Sequence, residues 1–272
     1  MTWKQRWRQE GGGRELLRLA LPLILSSSFL TLQVSIDRAL LSHFSSDAVA
    51  AAMPAAMLYW TPFLLLQNIA NYAMTFVAQY TGAGRPERVG PAVWQALYFA
   101  VVAGVAFIAL WPLAPHMAAL GGHSPPIQEL EAVYFRCLCF AALPALIVAA
   151  ANSFFAGRGD SWTVLLVDAV GLTVNALLAF TLIFGRWGLP ALGIAGAGWA
   201  TVAGSTISAV LALVLLFQPK YRTRFRTLAG WRFDPDLFRR LMRFGFPNGL
   251  QWMLDLLAFT VFLFLVGRLG DV

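Results

Sequence analysis

Apolar residues run along the chain in long stretches that contain no formal charge. Three of these, at 48–84, 89–128 and 187–219, hold 37, 40 and 33 residues, whereas a helix needs about 20 mainly apolar residues to cross a bilayer. A backbone in lipid must satisfy its own hydrogen bonds, so the pattern predicts membrane-spanning helices. We predict seven spans, at approximately 15–43, 48–80, 89–115, 130–156, 162–185, 189–217 and 238–267.

The composition and the placement of charge agree with this interpretation. Charged residues make up 12% of the chain, against about 25% in an average soluble domain. The net charge of +7 does not indicate nucleic-acid binding, because the basic residues lie between the apolar stretches. With the N-terminus inside, the inner connections hold 16 Lys and Arg and the outer ones hold 4. We therefore predict a multi-pass protein of the cell inner (plasma) membrane, with its N-terminus in the cytoplasm.

The chain contains an internal repeat. Leu17-Arg18-Leu19-Ala20-Leu21-Pro22 opens the first span, and Met242-Arg243-Phe244-Gly245-Phe246-Pro247 opens the seventh, 225 positions later. Each is followed by a lone acid, Asp37 or Asp255, and such a repeat is typical of transporters built from two homologous halves. The predicted fold class is an all-α polytopic membrane protein. Its parts are a cytoplasmic basic tail (1–14), a six-helix transmembrane lobe (15–217), a cytoplasmic linker (218–237) with a short surface helix near 233–240, and the first helix (238–272) of a truncated second lobe.

Polar residues recur within the spans at helical spacing, which places them on shared faces. The candidates are Gln33 and Asp37 in span one, Asn68, Asn71 and Thr75 in span two, Asp168 and Asn175 in span five, and Thr201 in span six. Polar residues inside a bilayer usually face a cavity or one another. We predict that these line a wet cavity, with Thr201 directed at Asn175 if their spans are neighbours. Interhelical hydrogen bonding is the alternative.

The acids Asp37 and Asp255 are candidate cation-coupling groups. Removal from water disfavours the ionised form of a carboxyl group, so such an acid can take up a proton near neutral pH. With neutral oxygens nearby it could instead hold Na⁺, and either event can change which helix arrangement is favoured. A purely structural acid is the competing interpretation. Asp37 lies 15 residues after Pro22 and Asp255 lies 8 after Pro247, so they are not one site copied twice.

Five motifs, in their order and spacing, carry a resemblance to a known family. They lie at 19–22 together with Asp37, at 47–52, at 79–85, at 154–160 and at 192–201. Together they resemble the multidrug and toxic compound extrusion (MATE) family of cation-coupled antiporters. The resemblance implies twelve helices in two six-helix lobes around a central cleft that opens alternately inward and outward. Spans one to six would then form the first lobe, and span seven would open the second.

The resemblance also implies a cation site in the first lobe. Family members use an Asp in helix one, an Asn in helix five, an Asp or Asn one turn later and a Thr in helix six, which correspond to Asp37, Asn175, Ala179 and Thr201. Ala179 departs from this pattern and removes one ligand, so H⁺ is preferred to Na⁺ as the coupling ion. Asp168, two turns inward, could compensate. Some members use a Glu in helix seven, where this chain has Asp255. No cofactor or metal centre is implied.

We therefore expect an antiporter, not an enzyme, that exports organic cations or drug-like amphipaths in exchange for H⁺ or Na⁺, as a monomer if full length. The alternative is a flippase for lipid-linked saccharides. Such flippases tend to line their cavity with arginines, and in this sequence Arg38 and Arg136 are the only candidates for that role. An intramembrane enzyme needs a catalytic constellation at membrane depth, which the sequence lacks. A receptor or scaffold does not require polar stripes on several spans. The sequence stops after span seven, so we expect a fragment and assign the function to the full-length protein.

Overall fold

The computed structural model describes residues 13–119 and 121–269, without the side chains at positions 14, 15, 18, 19 and 259–269. The predicted basic tail, 1–14, falls almost entirely outside these residues. Every regular element within them is an α-helix or a 3₁₀ turn. The α-helices are α1 (Gly13–Phe44), α2 (Ser46–Asn71), α3 (Ala73–Gly82), α4 (Val89–Ile108), α5 (Ala114–Ala119), α6 (Pro125–Ala156), α7 (Ser161–Phe184), α8 (Ile194–Leu216), α9 (Pro219–Arg222) and α10 (Pro235–Leu269).

Six segments of the described chain are long and apolar enough to cross a membrane, and they correspond to the first six predicted spans. They are Ala20–Phe44, Ser46–Gly82, Pro86–Ala119, Pro125–Ala156, Ser161–Phe184 and Ile194–Leu216. The predicted all-α polytopic membrane fold is therefore confirmed. The seventh predicted span, 238–267, lies within α10, but its side chains from 259 onward lie outside the described part of the chain.

The second predicted span is interrupted, which the sequence pattern did not predict. Its two prolines, Pro54 and Pro62, lie inside the continuous helix α2, and the interruption comes later, at Tyr72. There the amide of Thr75 donates to the carbonyl of Tyr72 at 3.0 Å, an i→i−3 bond that tightens the turn as in a 3₁₀ helix. The polar stripe of this span is therefore divided between the end of α2 and the start of α3.

Span three contains an interruption within its predicted range of 89–115, and the predicted start of span six was wrong. In span three, α4 ends at Ile108 and a 3₁₀ turn follows at Trp111–Leu113, before α5. Pro112 has no backbone N–H to continue the helix. Span six was expected to begin at 189, but α8 begins at Ile194, because the connection from α7 turns through glycines at positive φ, among them Gly185 (68°) and Gly193 (53°).

Helix α6 lies at the centre of the bundle and packs against α2, α4 and α8. Its buried face is rich in alanine, and it holds buried aromatic side chains at Phe135, Phe154 and Phe155. Helix α7 packs against α8 and α1, so α1 joins the bundle mainly through α7. In lipid, where the hydrophobic effect between helices is weak, small residues allow the close contacts that hold such bundles together.

One close approach between α7 and α8 depends on the absence of a side chain. A Cβ atom added to Gly196 would lie 2.6 Å from the carbonyl carbon of Leu182 and 2.8 Å from the amide nitrogen of Ile183. Both neighbours are backbone atoms, so they cannot rotate away. The contact therefore fixes the spacing between the two helices that carry Asn175 and Thr201.

The linker between α8 and α10 is fastened to the bundle. The amide of Gly90 donates to the carbonyl of Phe225 at 2.9 Å, and the indole of Trp94 donates to the carbonyl of Thr227 at 2.7 Å. The guanidinium of Arg158, in the turn after α6, lies over three aromatic rings at 4.4–4.5 Å from their centres, those of Phe154, Tyr221 and Phe225. The linker is thus attached to both α4 and α6.

The surface helix expected near 233–240 is not a separate element. Helix α10 begins at Pro235, and the carboxylate of Asp234 caps it by accepting the amides of Asp236 and Leu237, each at 3.1 Å. The helix then continues to Leu269 and packs against α2 and α4. Capping by Asp234 satisfies orphan amide groups of the first turn, which makes this the start of the long helix.

We expect Gly196→Ala to destabilise the protein by about 1–3 kcal/mol, because an overpacked contact with backbone atoms is relieved only by moving a helix. The measurement is the thermal unfolding temperature of the protein purified in detergent. Gly82→Ala is the matched control, since Gly82 is also helical and a Cβ there meets no atom within 4 Å. Equal unfolding temperatures for the two variants would contradict the close contact between α7 and α8.

Candidate functional site

Five of the polar residues singled out in the sequence line one cavity. The cavity has a volume of about 270 Å³ and is enclosed by α1, α2, α6, α7 and α8; we call it the Asp37 cavity. The five residues are Gln33, Asp37, Asp168, Asn175 and Thr201. Aromatic side chains of α2, among them Tyr59 and Trp60, form part of the same wall.

Asp37 is the most enclosed acid of this cavity, with 6% of its surface exposed. Its position on α1 follows from helical spacing, since Ser26, Leu30 and Gln33 line the same cavity. Its Oδ1 atom has no hydrogen-bond partner among the residues that the structure describes. The neighbouring Arg38 is exposed and donates to the sulfur of Met53, so it does not neutralise Asp37 as an ion pair.

Asn175 and Thr201 are in contact across the α7–α8 interface. The Asn175 Nδ2 group donates to Thr201 Oγ1 at 3.2 Å, and the Thr201 hydroxyl donates to the carbonyl of Ala197 at 3.1 Å. Gly204 makes this possible, since a Cβ there would lie 2.8 Å from the carbonyl oxygen of Gly171. Asn175 is 1% exposed, and its Oδ1 atom is a second buried acceptor without a partner in the described structure.

Ala179 is fully buried in the hydrophobic core and does not line the Asp37 cavity. Its methyl group supplies no oxygen to a cation. The four positions singled out for a cation site therefore present polar atoms at three residues, Asp37, Asn175 and Thr201.

A second cavity, of about 480 Å³, lies beside the break between α2 and α3; we call it the Asn71 cavity. It is lined by the predicted residues Asn68, Asn71 and Thr75, and also by Asp168. Asn68 and Asn71 lie in the last turn of α2 and Thr75 in the first turn of α3, so these side chains lie on both sides of the interruption at Tyr72. The sequence-predicted polar residues thus fall into two cavities, and Asp168 borders both.

Asp168 is held by two donors from neighbouring helices. The hydroxyl of Ser26 on α1 donates to its Oδ2 atom, and Asn152 Nδ2 on α6 donates to its Oδ1 atom at 3.2 Å. Sequence reasoning missed Asn152 and Asn248, which also line the Asn71 cavity. The signal was available, because each is an amide within a predicted apolar span.

Asp255 is not brought to this site. It lies on α10, is exposed, and lines neither cavity. No group of three or more His, Cys, Asp or Glu side chains suited to a metal ion occurs within the described residues.

Comparisons with known proteins agree with this architecture. The sequence model of the MatE family matches residues 22–181. The probable multidrug resistance protein NorM of Brucella suis biovar 1 is 29% identical over 267 residues, which cover 95% of this chain and 56% of that protein. The probable NorM of Bradyrhizobium diazoefficiens is 31% identical over 259 residues, which cover 94% of this chain and 55% of that protein. The chain therefore spans about half the length of the curated relatives it matches.

The fold also matches a solved transporter. The crystal structure of the eukaryotic MATE transporter AtDTX14 has a TM-score of 0.83, with 18% sequence identity, over 95% of this chain and 57% of that one. At this identity the likeness concerns the fold alone. The resemblance inferred from the motifs is confirmed by the match to the family model, which covers more than half of the 272 residues. This multi-pass membrane protein belongs to the MatE family, a family of transporters and not of enzymes.

Proposed function

We propose that this protein acts in secondary active transport, exporting organic cations or drug-like amphipaths in exchange for H⁺. The support is its membership of the MatE family and its similarity to proteins named as probable multidrug resistance proteins. The observation that carries the proposal is the pair of buried, unpartnered oxygens on Asp37 and Asn175, which line one cavity within the described bundle.

A buried acceptor oxygen that receives no hydrogen bond costs free energy. A cation bound at the oxygens of Asp37 and Asn175 would supply the interaction that they lack. A proton on Asp37 requires one carboxyl oxygen and no further ligands. Na⁺ would require several oxygens together, and Ala179 supplies none from its side chain. The side chains available around Asp37 therefore favour H⁺, with Na⁺ as the alternative coupling ion. No cofactor is needed in this scheme.

The cavity walls favour a cationic cargo over a lipid-linked saccharide. Asp37 and Asp168 contribute two carboxyl groups to the Asp37 cavity, and Arg38 contributes one guanidinium. Arg136, the other arginine considered for a flippase, lies over the ring of Trp111 at 5.4 Å and lines neither cavity. The arginine-lined cavity that phosphate binding requires is thus missing from the described walls.

Asp255 is proposed as a second acid that responds to the coupling ion. It stands apart from Asp37, on a helix that packs against α2, in keeping with the different depths of the two acids along their helices. We further propose that the protein resides in the inner membrane, as a monomer if full length. Its N-terminus is proposed to be cytoplasmic, since Lys and Arg concentrate in the connections that would then lie inside.

We expect Asp37→Asn to lower proton-driven export of the fluorescent cation ethidium to the level of vesicles that lack the protein. The amide cannot take up and release the proton. The assay uses everted vesicles from cells that express the gene, with a pH gradient and a Na⁺ gradient imposed separately. Asp47→Asn is the matched control, because Asp47 is exposed in the first turn of α2. Undiminished pumping by Asp37→Asn would remove the coupling assignment.

The proposed orientation predicts which connections a membrane-impermeable maleimide can reach. We expect Ser124→Cys, in the exposed turn before α6, to be labelled in intact cells. Thr223→Cys, in the exposed linker after α9, should be labelled only after the cells are opened. The native cysteines Cys137 and Cys139 are buried, so they contribute little background. The reverse labelling pattern would contradict the proposed orientation.

A further inference from the structure

Asp168 lies where the two cavities meet. The residues common to both linings are Gln67, Ala145, Val148 and Asp168, and Asp168 carries the formal charge among them. Helices α2, α6 and α7 each contribute to this shared wall. A molecule that touches this shared wall from either cavity therefore lies close to the carboxyl group.

Two hydrogen bonds orient the carboxyl group of Asp168 and leave it able to accept more. Ser26 donates to one of its oxygens and Asn152 donates to the other. An ionised carboxylate has about four acceptor positions, so these two donors leave about half of them for a ligand. Asn152 Oδ1 is a further acceptor beside Asp168, and it has no partner within the described part of the chain.

The Asn71 cavity has a simple charge pattern. Its other described lining residues are neutral, and they include the amides of Asn68, Asn71 and Asn248. With the proposed orientation this cavity is on the cytoplasmic side, since α2 runs inward to its end at Asn71. Among the described lining residues, a cationic molecule that enters there meets neutral amides and one opposite charge, that of Asp168.

The Asp37 cavity, which Asp168 also lines, has aromatic residues in its wall. Tyr59 and Phe63 are stacked with ring centres 4.8 Å apart, and Trp60 lies edge-on to Phe63 at 5.5 Å. Tyr59 and Phe63 are buried, whereas Trp60 is partly exposed, and the face of such a ring attracts cations and planar apolar groups. A ligand with a positive charge on a flat apolar body is therefore matched by a carboxylate and an aromatic wall that border one cavity.

We propose that Asp168 is the residue that binds the positively charged group of the cargo, while Asp37 is left to exchange the proton. The proposal rests on the transport function proposed above. It gives the two acids separate tasks. Asp168 lies in the wall that the two cavities share, with one described donor on each oxygen. Asp37 is more enclosed and has an oxygen without a partner among the described residues.

The test compares two dyes that share a ring system, rhodamine 6G, a permanent cation, and rhodamine B, whose free carboxylate makes it a zwitterion. Binding to the protein purified in a nonionic detergent is followed by fluorescence anisotropy. We expect Asp168→Asn to raise the Kd of rhodamine 6G about tenfold, equal to about 1.4 kcal/mol, and to change that of rhodamine B by less than about twofold. Asp236→Asn, exposed in the first turn of α10, should change neither Kd.

An unchanged Kd of rhodamine 6G in Asp168→Asn would overturn the proposal. An equal loss of affinity for both dyes would also overturn it, because it would indicate a structural role for Asp168. If this variant does not fold, Asp168→Glu replaces it, with the carboxylate kept but displaced by one methylene. A selective loss of rhodamine 6G then supports the proposal, and no selective loss overturns it. Binding is measured without a gradient, so a failure of proton coupling at Asp37 would leave the Asp168 assignment standing.

Discussion

A polar side chain that faces hydrocarbon is costly, and this constraint decides which face of each helix points inward. In the described bundle, α1 turns Ser26, Gln33 and Asp37 toward a cavity, and α7 turns Asp168 and Asn175 toward the same space. The opposite faces carry exposed apolar residues such as Leu32 and Leu177. Helices α7 and α8 approach closely at Gly196 and Gly204, and this brings Asn175 within hydrogen-bonding distance of Thr201. Both cavities depend on this arrangement of polar faces inside and apolar faces outside.

The sequence predicted the features that depend on helical periodicity. Asp37 shares a face with Gln33, and Asn175 donates to Thr201, because both relations follow from residue spacing and neighbouring spans. It did not predict the break at Tyr72, since no proline or glycine occurs there to mark it. It also missed the contact of Asn152 with Asp168, because a pairing between residues on different helices requires knowledge of which faces meet.

The acids of the bundle differ in their surroundings more than in their chemistry. Asp168 has a donor on each oxygen, whereas Asp37 has an oxygen without one in the described structure. Asp255 lies outside both cavities on α10. A pattern of lone acids in apolar runs cannot separate these cases, because spacing along one helix says nothing about donors on the next. The proposed division between cargo binding and proton exchange follows from those neighbours.

The three aromatic rings around Arg158 have a consequence for how the linker follows the bundle. Phe154 belongs to α6, whereas Tyr221 lies in α9 and Phe225 in the linker, so one guanidinium contacts both parts of the molecule. The attraction between a guanidinium and the faces of aromatic rings needs no second charged side chain. A displacement of the C-terminal end of α6 would therefore carry the linker with it, and with the linker the start of α10.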